Sequence, residues 1–251
     1  MQHFRDLLKL SYRPWYLLWM LFGSRWPVTL RFLAGPRLAL RPGRDDRATL
    51  MEIFGERQYE LPADCSIPEP KTIVDLGGYC GYSAVYFLNR FPGSQVIVFE
   101  PHPVHIRMLW KNIRLNNLQD RVRVVAAAVG VRDESGYLKD DNCTSTIVDA
   151  FQSAGAIPVP VVDLFSQIPS SQVDLLKMDA EGAEQAILAD PRFLDLAKRI
   201  SAMVLEWHHS ASIPDGRSWC IDKLRQAGFD TVVDGPVQYS QAGILWAYRR
   251  A

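Results

Sequence analysis

The segment Lys177-Met178-Asp179-Ala180-Glu181-Gly182-Ala183-Glu184 sets an amine and several carboxylates directly after the apolar run Val173-Asp174-Leu175-Leu176. If the run is a strand, alternation puts Lys177, Asp179 and Glu181 on one face until the turn begins. An amine at the apolar end of a strand needs a partner or a purpose, and a weakly nucleophilic hydroxyl needs a nearby base or cation before it reacts. Lys177 and Asp179 are therefore expected to be catalytic, with Asp179 orienting or deprotonating an acceptor. Glu206-Trp207-His208-His209 closes another apolar run. Residues 206 and 208 share a face there, so an acid and an imidazole turn toward the same cleft. His208 becomes the third catalytic candidate, and Glu181 and Glu206 the candidate acceptor contacts. The competing reading has Asp179, Glu181 and Glu184 capping the following helix, Lys177 neutralising them, and His208 in an exposed loop. Asp179, Glu206 and His208 have no recognised metal-ligand spacing, so no metal is expected.

A second constellation lies upstream. Ile73-Val74-Asp75-Leu76 runs into Gly77-Gly78-Tyr79-Cys80-Gly81, and Val96-Ile97-Val98-Phe99 ends at Glu100, 22 residues beyond Gly78. Two apolar runs, a glycine turn and an acid at that distance suit an adenosine-bearing cofactor across the end of a parallel sheet, with Glu100 accepting from both ribose hydroxyls. Gly77, Gly78 and Gly81 are expected to let the backbone approach it. Tyr79, in the turn, and Pro101, after the acid, belong to the same expected cofactor set. A nicotinamide site would carry GxGxxG, but Leu76 stands at its first position. Asp75 would repel a pyrophosphate and attract a cation. S-adenosylmethionine supplies that cation in its sulfonium and ammonium groups.

With 251 residues and 48% hydrophobic content, the chain can bury a full core. Its 28 basic and 28 acidic residues leave no net field to favour nucleic acid, which is not expected as a partner. Cys65, Cys80, Cys143 and Cys220 are widely spaced, pointing to reduced thiols in a cytoplasmic setting. Trp15-Tyr16-Leu17-Leu18-Trp19-Met20-Leu21-Phe22, between Arg13 and Arg25, is too short to span a bilayer and has no small-residue cleavage site after it. It is expected to pack on the domain or on a second subunit, or to contact a membrane surface.

These groups need a scaffold. Residues 28–32 and 37–41 read as a hairpin through Gly35-Pro36, and Asp45-Asp46 as the N-cap and first-turn charge of a helix to about Arg57. Strand and helix patterns then alternate: strands at 72–76, 95–99, 122–125, 173–178 and 201–206, helices at about 82–91 and 103–117. A less regular insert spans 131–157 and is expected, with the N-terminal elements, to shape an acceptor pocket. A helix at about 217–227 precedes strands at 229–233 and 244–248, expected to pair as an antiparallel hairpin. This gives an α/β class, a Rossmann-like methyltransferase sheet over 71–251 with an N-terminal extension over 1–70.

Val74 to Ser83, Phe99-Glu100-Pro101-His102-Pro103 and above all Leu176 to Glu184 resemble the FkbM family of S-adenosylmethionine-dependent methyltransferases, over about residues 72–208. The resemblance implies that Asp75, Gly77 and Gly81 belong to the cofactor turn, Glu100 is the ribose acid, Ala127 and Ala128 edge the adenine, and Asn112 and Asn116 lie in a helical motif. It also implies O-methylation of a small acceptor, such as a sugar or natural-product hydroxyl. A nitrogen or carboxylate acceptor, a nicotinamide-dependent oxidoreductase and a noncatalytic binding module are the competing readings.

Overall fold

The computed structural model describes residues 27–32, 35–42, 45–141, 144–148 and 156–249. The aromatic segment 15–22 lies outside them. Among the described residues no helix is long and apolar enough to cross a membrane.

Strands β1 (Val28–Arg31) and β2 (Arg37–Leu40) form the expected antiparallel hairpin. Helix α1 (Asp46–Leu50) continues as a π-turn over Met51–Gly55. Asp45 makes no side-chain capping bond, and Asp46 is not a surface charge of the first turn. It is fully buried because better partners than solvent reach it: the Arg41 guanidinium at 2.6 Å and the Tyr79 hydroxyl, which donates at 2.8 Å. Burial works to raise its carboxyl, but Arg41 holds it below the usual range.

The central sheet has seven strands, β12-β13-β11-β10-β3-β4-β5 in spatial order: β3 (Thr72–Leu76), β4 (Gln95–Phe99), β5 (Val122–Val125), β10 (Val173–Met178), β11 (Ile200–His208), β12 (Thr231–Gln238) and β13 (Ala242–Tyr248). β13 runs antiparallel to both its neighbours, and the other pairs are parallel. The central strands are covered on both faces, which is why they read as unbroken apolar runs. Ile73, Leu175 and Val204 face a core shared with the hairpin and with α2 (Tyr82–Arg90) and α3 (Pro103–Leu115). Val74, Leu176 and Leu205 face the opposite core, with α5 (Ala183–Ala189), α6 (Arg192–Ala197) and α7 (Gly216–Gln226), as does the short α4 (Leu164–Gln167).

The hairpin is tied to α3 by side chains. Asn112 accepts from the Ala39 amide and donates to the Cys80 carbonyl, while Asn116 accepts from the Arg37 amide and donates to its carbonyl. Both asparagines thus brace the hairpin against α3, and Asn112 also ties it to the turn after β3. The insert is more regular than expected. β6 (Ala128–Gly130), β7 (Glu134–Asp141), β8 (Thr144–Val148) and β9 (Ile157–Asp163) build a second, four-stranded sheet in the order β6-β9-β7-β8.

Candidate active site

A cavity of about 290 Å³ opens at the carboxyl ends of β3, β4, β10 and β11, beneath α1. Its first half is built on the turn after β3 and the acid after β4. Gly77 has φ +82, and a β-carbon there would collide with the Asp179 carbonyl. At Gly78 it would collide with Val98. The amides of Gly77 and Gly78 both donate to the Phe99 carbonyl at 3.0 Å. Close packing of strands thus requires these two glycines. Gly77 lines the cavity, whereas Gly78 and Gly81 are not among its lining residues. Gly81 instead begins α2 against Leu109.

Glu100 is 4% exposed and lines the cavity. One carboxylate oxygen accepts from the Tyr79 amide at 2.7 Å, the other from the His102 amide at 2.8 Å, with His105 Nδ1 3.3 Å away. Each oxygen keeps acceptor capacity while the amides fix its direction. Tyr79, Pro101, Ala127 and Ala128 line the same half, together with Phe99 and His105. His102 and His105 are buried, 1% and 3% exposed, and stack with centroids 4.2 Å apart. His102 caps α3, accepting from the Val104 amide at 3.1 Å.

Asp75 departs from expectation. It is fully buried, does not line the cavity, accepts from the Ser83 hydroxyl at 2.6 Å and lies 3.3 Å from Lys177 Nζ. Its charge is answered inside the protein by Lys177, so a ligand cation does not meet it directly.

Lys177 lies beneath the cavity floor, 2% exposed. Its ammonium donates to the carbonyls of Leu76 (3.1 Å) and Gly77, and sits 3.2 Å from Asp179. Burial pulls its proton affinity down, but Asp179, Tyr59 and Asp75 outweigh it and hold it well above the ordinary lysine value. Lys177 does not line the main cavity; Asp179 does, with its side chain 24% exposed.

The other half carries acids. Glu181 and Glu206 line it, Glu181 with a left-handed φ of 50°. Burial first, then Asp179, pushes Glu181 up to about 8 and Glu206 up to about 9. His208 is not a lining residue; it stands behind, 3.8 Å from Glu206 and 3.9 Å from Glu184. Glu184 is buried and accepts from the Ala180 amide at 2.6 Å and the Gly182 amide at 2.8 Å. The capping expectation therefore holds for Glu184 and not for Glu181.

Sequence reasoning missed Asp45, Ala48, Thr49 and Glu52, which roof the cavity, and Gln58, Tyr59 and His105 in its walls. The first four carry a readable signal, a recurrence every three or four residues opposite Leu50 and Ile53. Glu52 is also gripped by the Tyr239 hydroxyl from the β12–β13 turn.

The family model for the methyltransferase FkbM domain matches residues 75–230. Methyltransferase sdnD of Sordaria araneosa is 25% identical over 232 residues, covering 75% of this chain and 85% of that protein. Methyltransferase 1 of Beauveria bassiana is 25% identical over 162 residues, 55% of this chain; the match spans 64% of that protein, just under two thirds. The crystal structure of methyltransferase FkbM from Methylobacillus flagellatus KT aligns with a TM-score of 0.53 at 16% identity, over 81% of this chain and 54% of its own, a likeness of fold. By the family model, which covers more than half of it, the chain belongs to the FkbM methyltransferase domain family.

Proposed function

We propose that this chain transfers a methyl group from S-adenosyl-L-methionine to a hydroxyl of a small molecule, such as a sugar or natural product. The observation that carries the reading is Glu100: a buried carboxylate at the end of β4, aimed by two backbone amides and bordering a cavity that continues to Asp179 and Glu206. The residues present fit the cofactor. Glu100 would accept from the ribose hydroxyls, Phe99, Pro101, Ala127 and Ala128 would flank the adenine, and Gly77 with Asp179 would hold the amino-acid end.

S-adenosylmethionine supplies an electrophilic methyl on a sulfonium. The chain supplies position and a proton acceptor. Binding the acceptor under α1 excludes water and holds its oxygen in line, which accounts for much of the rate in such transfers. Asp179 is oriented by Lys177 at 3.2 Å and is the base for the acceptor proton. Lys177 acts through Asp179 and is a positioning residue. A cytoplasmic setting belongs to the same proposal and rests on the wide spacing of the cysteines.

Incubation with trideuteromethyl-labelled S-adenosylmethionine and a pool of hydroxylated small molecules tests this. Labelled methyl ethers are expected in the product mass spectrum. Label on nitrogen or on a carboxylate would replace the hydroxyl acceptor, and cofactor binding without any labelled product would favour a noncatalytic module.

A further inference from the structure

The cavity is lined by more acidic groups than the proposed cofactor would meet. Asp45, Glu52, Glu100, Asp179, Glu181 and Glu206 line it, and no Lys or Arg stands among its described lining residues. The buried cations beside it are engaged elsewhere: Lys177 with Asp75, Asp179 and two carbonyls, Arg41 with Asp46 and the Tyr79 hydroxyl. S-adenosylmethionine has two cationic groups, but its own carboxylate offsets one of them, and Glu100 meets the uncharged ribose. Glu52, Glu181 and Glu206, with Asp45 at the exposed edge, are left for the acceptor.

A separate observation marks the cavity as made for a ligand. His105, 3% exposed, lines its cofactor half with Nε2 lacking a hydrogen-bond partner. Buried polar groups are otherwise nearly always paired. Glu181 and Glu206, held largely neutral by burial and by Asp179, would ionise as a cation arrives, so its binding would release protons.

We propose that the acceptor is itself a cation: a hydroxyl-bearing small molecule with a protonated amine, its ammonium seated among Glu52, Glu181 and Glu206 and its hydroxyl turned toward the transferable methyl. This rests on the methyltransferase reading above. The acceptor oxygen bonds to the methyl carbon, the electron pair of the broken carbon–sulfur bond stays on sulfur, and the hydroxyl proton passes to Asp179 and then to solvent.

The test first titrates the protein with S-adenosylmethionine; absence of binding there would refute the methyltransferase reading before any acceptor is added. Protein saturated with S-adenosylhomocysteine is then titrated calorimetrically with tyramine, 4-ethylphenol and 4-hydroxyphenylacetate, which share a phenol and differ in tail charge, and with glucosamine against glucose. The amines are expected to bind at least about tenfold tighter than their neutral partners. Tyramine should also release protons, seen as a heat that differs between phosphate and Tris buffers. The Glu181→Gln/Glu206→Gln variant, checked for retained S-adenosylhomocysteine binding, should lose the preference. No amine preference in the wild-type protein would overturn the proposal, whether the neutral or anionic members bind as well or none binds. A preference that survives in the double variant would overturn the seat assigned to the ammonium.

Discussion

At the ends of β3 and β4 most polar groups are answered by the protein itself: the Gly77 and Gly78 amides by Phe99, the Glu100 oxygens by the amides of Tyr79 and His102, with His105 Nε2 left open. At the ends of β10 and β11 the cavity-lining Glu181 and Glu206 crowd Asp179, and each is pushed up. Lys177 lies between the two regions, clamping Asp75 of one and Asp179 of the other. The first region is a finished mould, so what fills it must match its shape. The second holds acids that burial and Asp179 keep protonated, a perturbation that clusters where a ligand binds. In the proposed function, that contrast makes cofactor recognition a matter of geometry and acceptor recognition a matter of charge.

The sharpest way to break that division is at the clamp. Lys177→Met leaves two carboxylates and two carbonyls without their ammonium, and loss of one partner of a buried pair typically removes about 3–5 kcal/mol. Urea unfolding should show this as a lower midpoint; an unchanged midpoint with lost turnover would make Lys177 a reacting group instead. Asp179→Asn keeps the shape but not the base, and should lower kcat by roughly 100-fold or more in labelled-methyl turnover.

Glu100→Ala removes the carboxylate that organises the first region, and should weaken S-adenosylmethionine binding by about 10- to 100-fold in calorimetry. Stability should also depend on pH. The unfolded chain ionises Glu181 and Glu206 near the ordinary carboxylate value, whereas the folded chain keeps them protonated to about 8 and about 9. The folded state therefore binds more protons over that interval, and their contribution to stability declines as pH rises from about 4.5 toward 9. Glu206→Gln should flatten the fall in Tm over this range; an unchanged slope would show that Glu206 is not held protonated.

The sheet was legible because its central strands are buried on both faces, leaving apolar runs such as Ile73-Val74 and Leu175-Leu176 bounded by turn residues. The β6–β9 sheet was not. Its register is set by partners distant in the chain, Ala128 against Val161 and Gly136 against Val159, and no local period announces such pairing. In the site, Asp179, Glu181 and Glu206 were readable from strand ends, and Glu100 from its distance to the turn. The enclosure of Asp75 and Lys177 was not, since the two meet only through β3–β10 pairing, which sets Lys177 beside Asp75. The burial of His105 likewise depends on Glu100 and Tyr79 packing against it.

The account is tested most directly by calorimetric titration of S-adenosylmethionine into the wild-type protein, Glu100→Ala and Glu206→Gln. It predicts binding to the wild type, a loss of about tenfold or more in Glu100→Ala, and affinity within a few-fold of wild type in Glu206→Gln. Absence of binding to the wild type, or equal losses in both variants, would contradict it.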